Sequence, residues 1–342
     1  MTHVHDASCG HSHGGNPIDI HAHFYPQEFL QAIAKAGPGS GATYKEIPGK
    51  GPTLIVDEIT LPPLQPQFID MDARLEAMEK QGVSVHALSL SLPMTDWAKR
   101  AFAQELCEIY NDTAGAACIK HAGKLINFAT LPMSEPDLAV RELERVAKLP
   151  STRGVYLSTQ ICGLDLSDEK FFPVYEAIEA SGLPIFLHPS HVIGHERLSK
   201  FYLHNLLGNP FETAIAAGHL IFGGVLDRFP KLTWVLPHAG GAFPYLIGRL
   251  QRGYDKRREP YGCSLGPMEY LRRFYYDTIT YADQPLQYLK DLVGADRIMM
   301  GSDYCFPIAY EKPVEVVTAH PGFNAEEQTL VLEGNARRLL KL

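Results

Sequence analysis

Apolar residues along this chain recur in two periods that take turns. Short runs bounded by glycine, proline or polar clusters read as buried strands: PIDIHAHF, VSVHALSL, LINFATLP, TRGVYLS, LPIFLHP, LTWVLPHAG, YYDTIT and RIMMGSDY. Between them lie FIDMDARLEAMEKQG, EPDLAVRELERVAKL and QPLQYLKDLVGAD, whose apolar positions recur at helical spacing. Gly82, Gly123 and Gly182 stand where such stretches hand over to the next strand, as residues that end helices do. The connection between the second and third strands, roughly 97–124, is long and helical. Eight strands alternating with helices predict an α/β fold, the (β/α)8 TIM barrel. A doubly wound open sheet would place a phosphate-binding glycine loop directly after its first strand, whereas GPGSG at 37–41 follows a helix. GATYKEIPGKGPTLIVDEITLPP, after the first helix, reads as a small β-hairpin insertion beside the barrel mouth.

No internal repeat and no linker divides the chain, so 16–342 is read as one barrel domain and 1–15 as a His-rich, disordered tail. The tail holds His3, His5, Cys9, His11 and His13, a composition that binds metal adventitiously; an arm that loads the barrel with metal is the sharper alternative. The net charge of -8 over 342 residues is mild and spread out, which excludes nucleic acid as the expected partner. No apolar run approaches the ~18 residues of a membrane helix, and the first residues lack the apolar core of a signal peptide. Six scattered cysteines without a CxxC pair are the usage of a reduced, cytoplasmic protein.

In a barrel of this kind, catalytic groups stand at the C-terminal strand ends, on one rim. Strand 1 ends in His21 and His23, strand 5 in His188, strand 6 in His238 and strand 8 in Asp303. Successive strand residues face opposite ways, so His21 and His23 share a face and ask for a shared partner. For a lone histidine a satisfied core position is the better reading; five such groups on four strand ends of one rim form a site. His21, His23, His188 and Asp303 can hold one divalent ion, Zn²⁺ above all, with a position left for water or substrate. His238 is left to act on that water or on a substrate oxygen. Strand 4, TRGVYLSTQ, ends in no lysine or acid that could bridge a second metal.

The HxH of strand 1, the histidines of strands 5 and 6 and the aspartate of strand 8 resemble the amidohydrolase superfamily. LIFGGVLDRFPKLTWVLPHAGGAFPYLIGRL and RIMMGSDYCFP, and more loosely HPSHVIGHERLSKFYL, resemble its aminocarboxymuconate-semialdehyde decarboxylase branch (amidohydrolase 2). The resemblance runs from residue 17 to the C-terminus. It implies a distorted (β/α)8 barrel, a single metal (usually zinc, sometimes manganese) and a homodimer. It also implies that Arg249 and Arg257 hold substrate carboxylate, one of them across the dimer interface. Two positions depart from the branch. Ser190 follows the strand-5 His-Pro where the branch carries tryptophan, a place His191 can take, and the first arginine is Arg74, so an upstream carboxylate-holding arginine has no counterpart.

The reaction this resemblance implies first is non-oxidative decarboxylation of an unsaturated or aromatic carboxylic acid, a small-molecule carboxylate. The same ligands serve a hydrolase or hydratase, including a C–C bond hydrolase, acting on a ring-cleavage-type acid. A non-catalytic metal-binding protein is the third class, suggested by the tail. No GxSxG elbow supports a serine hydrolase.

Overall fold

The computed structural model describes residues 15–49, 51–56, 59–61 and 63–342, so the His-rich tail lies, all but Gly15, outside the described residues. Strands β1 (Ile18–His23), β2 (Val85–Ser89), β3 (Leu125–Thr130), β4 (Thr152–Ser158), β5 (Ile185–His188), β6 (Trp234–Leu236), β7 (Phe274–Asp277) and β8 (Ile298–Met299) lie in that order in one sheet. Each neighbouring pair is parallel. The segment after β8 closes the ring on β1. Ile20 N–H donates to Met300 O at 3.1 Å, Asp303 N–H to His21 O at 2.9 Å, and Ala22 bridges Tyr304 in parallel sense. This is the (β/α)8 barrel that the alternation predicts.

Helices α1 (Gln27–Ala36) and α2 (Met71–Gln81) flank the insertion after β1. Helices α3 (Arg100–Lys120), α4 (Pro136–Val146), α5 (Phe172–Ser181), α6 (Asn209–Phe222), α7 (Phe243–Lys256) and α8 (Asp283–Val293) follow β2 to β7 in turn. A last helix, α9 (Asn335–Leu340), ends the chain. Local sequence sets these boundaries. The Asp70 carboxylate caps α2 by accepting from Asp72 N–H at 2.9 Å and Ala73 N–H at 3.3 Å. Gly82 ends α2 at φ 71°, a left-handed conformation that glycine reaches without strain. The insertion is a β-hairpin as expected, Ala42–Ile47 antiparallel to Gly51–Val56, with the short strand Ile59–Thr60 added to it.

Two apolar layers hold the barrel. Outside the strands, Val155, Ile185, Trp234 and Leu236 pack on Ala216 and Leu220 of α6 and Phe243 of α7. Inside, Ile20, Phe128, Phe186, Val235 and Met299 fill the lower barrel, and Leu339 and Leu340 of α9 close it from below. Each large side chain so buried stabilises by roughly 1.5–3 kcal/mol relative to exposure.

β1 departs from strict alternation. Asp19 stands opposite His86 and Ala22 opposite Leu88, so β1 carries one residue more than β2 across that interval. Ile20 packs with Phe186 and Met299 in the interior. Its neighbour His21 also lies against Phe186, with ring centroids 5.0 Å apart. The bulge therefore sets two inward-facing residues in succession. It places the pair His21 and His23 directly above the apolar floor. No described helix is long and apolar enough to cross a membrane.

Candidate metal centre at the barrel mouth

The structure brings His21, His23, His188, His238 and Asp303 together above that floor. Ring centroids stand 5.0 Å apart for His21 and His23, 5.3 Å for His21 and His188, and 5.5 Å for His188 and His238. The Asp303 carboxylate lies among them, with Oδ1 2.9 Å from His23 Nε2 and 3.4 Å from His21 Nε2, and Oδ2 3.9 Å from His238 Nε2. His21, His23, His188 and Asp303 are buried, and His238 is slightly exposed. His238 and Asp303 adopt left-handed φ of 53° and 64°, where a non-glycine residue is strained and persists only because its surroundings hold it.

Hydrogen bonds choose the tautomers. A carboxylate only accepts, so His21 Nδ1–H donates to Asp277 Oδ2 at 2.8 Å. His188 Nδ1–H donates to Pro189 O at 2.8 Å. Both imidazoles, when neutral, turn an Nε2 lone pair toward the centre. Asp277 is held in turn by the backbone, accepting at Oδ2 from His238 N–H (2.9 Å) and at Oδ1 from Ala239 N–H (2.7 Å) and Ile279 N–H (3.1 Å). Gly301 permits this approach, since a Cβ there would stand 2.9 Å from Asp277 Cβ and 3.1 Å from His21 Cβ.

Burial pushes His23 down to about 4 and His188 well below the ordinary imidazole value; burial likewise lowers His238. Burial also opposes charge on His21, but the Asp277 hydrogen bond and the nearby Asp303 charge outweigh it and raise that residue. Burial alone would raise Asp303, yet its hydrogen bond from His23 and the neighbouring imidazoles hold it below the usual carboxylate range. Neutral imidazoles around one carboxylate are the donor set of a divalent cation. The geometry fits such an ion. Ligand atoms of His21, His188, His238 and Asp303 all lie within 4.8 Å of one another, and buried His21 Nε2 has no hydrogen-bond partner. This quartet contains His238, whereas the sequence placed His23 in the set; His23 is instead hydrogen-bonded to Asp303.

Arg74 braces the centre from α2. It is fully buried, donates to His23 O and, at 3.1 Å, to Gln67 O, and contacts His86 Nδ1 at 3.2 Å. Above the centre opens a cavity of about 530 Å³ whose walls include His188, Asp303, Phe306, His191 and, from the insertion, Thr60 and Leu61. A second cavity of about 570 Å³ is walled by His238 and Tyr281 and shares Asn205 and Asn209 with the first.

His191 reaches the cavity, as the sequence suggests. Arg249 and Arg257 do not line it: both are exposed, and Arg257 pairs with Glu259 at 2.7 Å. Within one chain, then, the structure keeps these two arginines apart from the centre. Sequence reasoning passed over Asp277, although an acid at the end of the apolar strand YYDTIT is the same signal that singled out Asp303. It also left Arg74 without a role, since nothing in a helical repeat marks which polar residue will be buried.

Comparison with known proteins follows the same lines. A family model described as Amidohydrolase matches residues 18–342. A 2-amino-3-carboxymuconate-6-semialdehyde decarboxylase of Dictyostelium discoideum is 28% identical over 330 residues, covering 95% of this chain and 91% of that protein. A gamma-resorcylate decarboxylase of Polaromonas sp. is 28% identical over 264 residues, covering 72% of this chain and 80% of that protein. Among solved structures, Metarhizium anisopliae IDCase in apo form superposes with a TM-score of 0.84 at 27% identity, covering 95% of this chain and 97% of that one.

Proposed function

Because the chain belongs to the amidohydrolase family, with the family model spanning almost all of it, we propose that it is a metal-dependent, non-oxidative decarboxylase of an aromatic or unsaturated carboxylic acid. The observation that carries this reading is the buried histidine–aspartate centre at the floor of an open cavity. The decarboxylases among its relatives supply the reaction class.

In this reading His21, His23, His188 and Asp303 hold one divalent ion, zinc or manganese, and His238 stays off it. When bound, such an ion is a Lewis acid that draws electron density from a carboxylate or a neighbouring oxygen. The protein's own groups do the rest. Asp277 and the Pro189 carbonyl keep the two histidine tautomers in place. The C–C bond to the carboxylate breaks, CO₂ leaves, and a proton takes its place on carbon. A water held by His238 would supply that proton, or Asp303 would once it had itself taken a proton from solvent or substrate. His191 touches the substrate from the cavity wall.

The chain is further read as a homodimer. Phe211 on α6, 46% exposed, lines an apolar groove with Leu246 and Leu250 of α7, and Tyr245 on α7 is 81% exposed. Arg249 lies on the same α7 and meets a substrate only if a second copy brings it there.

The test is turnover by metal-replete protein of a panel of hydroxybenzoic, muconic-semialdehyde and ring-cleavage acids, with products read by mass spectrometry. Loss of CO₂ supports the reading. Gain of water, or cleavage with water incorporated, replaces it with a hydratase or hydrolase. Tight metal without any turnover or ligand binding points to a non-catalytic metal protein.

A further inference from the structure

Arg74 of α2 is fully buried, yet among the described residues its hydrogen-bond partners include no carboxylate. Its guanidinium donates to the carbonyls of His23 and, at 3.1 Å, Gln67, lies 3.7 Å from Cys305 Sγ, and stands over the rings of Phe24 and Tyr304. It also meets His86 Nδ1 at 3.2 Å. Taking a cation out of water without a carboxylate to meet it is unfavourable, and an apolar side chain would fill the same space without that penalty. What the arginine supplies is reach. His86 stands opposite Asp19 in the pairing of β1 with β2, where the bulge in β1 begins, and His23 lies just beyond the interval in which the register slips.

A guanidinium only donates, so His86 accepts at Nδ1 and carries its proton on Nε2. Burial, aided by the Arg74 charge, holds this imidazole well below its ordinary value, so the ring is neutral. Its Nε2–H faces Asp19 Oδ2 across 3.7 Å, an electrostatic contact longer than a hydrogen bond. Asp19 in turn accepts at Oδ1 from His21 N–H at 2.9 Å and Ser302 N–H at 3.2 Å, and at Oδ2 from the Ser302 hydroxyl. Ser302 directly precedes Asp303. The run Arg74–His86–Asp19 therefore touches both ends of the bulge and the segment that carries the aspartate of the centre. The geometry points to Arg74 as a positioning residue of the metal centre: through the His23 carbonyl, and through His86 and Asp19, it holds the bulge at the setting in which His21, His23 and Asp303 meet. The inference rests on the metal-centre part of the proposed function and goes beyond it, since none of Arg74, His86 and Asp19 belongs to the group of candidate ligands.

Zinc affinity of the full chain, measured by competition with a chromophoric chelator, tests this, with His188→Ala run alongside to subtract zinc held by the His-rich tail. Arg74→Lys keeps the charge, but one ammonium on a shorter reach does not span the His23 carbonyl, the Gln67 carbonyl and His86 together. His86→Leu keeps bulk and removes both ring nitrogens. Each is expected to weaken zinc about tenfold, as loss of a ligand's hydrogen-bonded support does. The double variant should bind zinc about as Arg74→Lys alone does, because the two side chains act along one path. Penalties that multiply in the double variant overturn the inference. So does a lowered Tm in chelator with zinc affinity unchanged, which assigns the network to stability alone. Nitrogen-15 NMR of the unmodified protein needs no variant to fold: His86 is expected as the Nε2–H tautomer, and a proton on Nδ1 overturns the arrangement. If the unmodified protein holds no more zinc than His188→Ala, the metal-centre reading fails and the inference with it; unchanged affinity in both variants of a zinc-binding protein fails the inference alone.

Discussion

Asp277 Oδ2 lies 2.8 Å from His21 Nδ1, although 256 positions separate the two residues in the chain. The carboxylate also takes the backbone N–H groups of His238 and Ala239. One side chain therefore orients a histidine of the candidate metal centre and the turn that carries His238.

Asp277→Ala removes an acceptor from each of these donors. Metal affinity is expected to fall about 10–100-fold, the usual effect of losing a ligand's hydrogen-bond partner. Competition with a chromophoric chelator measures it. Unchanged affinity would mean that His21 is oriented by packing against Phe186 alone.

His188→Ala and His238→Ala should part ways. The first is expected to lose the bound ion; the second is expected to keep it while turnover drops by about 10²-fold or more. Metal content by mass spectrometry, set beside initial rates, decides. Loss of metal in His238→Ala would instead favour the quartet in which His238 is a ligand and His23 is not.

Acid should destabilise the metal-free protein. His23, with an ordinary value near 6.5, is pushed to about 4 by burial, so between those values the unfolded chain binds more protons and stability falls as pH falls. His86, His188 and His238 are lowered too and act in the same direction. Burial raises Asp19 to about 6 and Asp96 to about 7, which act oppositely as pH falls from those values toward 3.8, whereas the raised His21 acts above 6.5, outside this window. With five lowered imidazoles, His204 included, against three raised carboxylates, Glu212 included, the Tm in chelator is expected to drop as pH goes from 6.5 toward 4. A flat or rising Tm would contradict this.

Gly301→Ala tests the close approach of the segment after β8 to the centre. The new methyl would meet Asp277 Cβ at 2.9 Å and His21 Cβ at 3.1 Å. Overpacking of this kind costs about 1–3 kcal/mol, and metal affinity should fall with it. A protein of unchanged Tm and affinity would show that the backbone yields there.

Much of this was legible in the chain. Strand and helix periods are local, so the barrel could be read from them, and strand ends carrying polar groups identified His21, His23, His188, His238 and Asp303. The bulge in β1 was not legible, because it is a slip of register against β2 and has no mark of its own in IDIHAH. The resemblance places Arg249 and Arg257 at substrate carboxylate, one of them across a dimer interface, and within one chain both are exposed, since a helix end rich in arginine looks the same in sequence whether it faces a partner or water. Arg74 shows the reverse case: a charge in the middle of α2 that the tertiary fold buries against His23 and His86.

Ring closure also sets an order in time. His23 meets a carboxylate 280 residues further on, and only when the segment after β8 has joined β1. A chain emerging from the ribosome can pair β1 with β2 early, but the two histidines of β1 must wait for nearly all of the remaining sequence. Until then they face a half-built barrel whose floor α9 has not sealed. Assembly of the candidate metal centre is thus tied to completion of the molecule, and a truncated product that lacks β8 and the following segment would present histidines without the aspartate that stands among them.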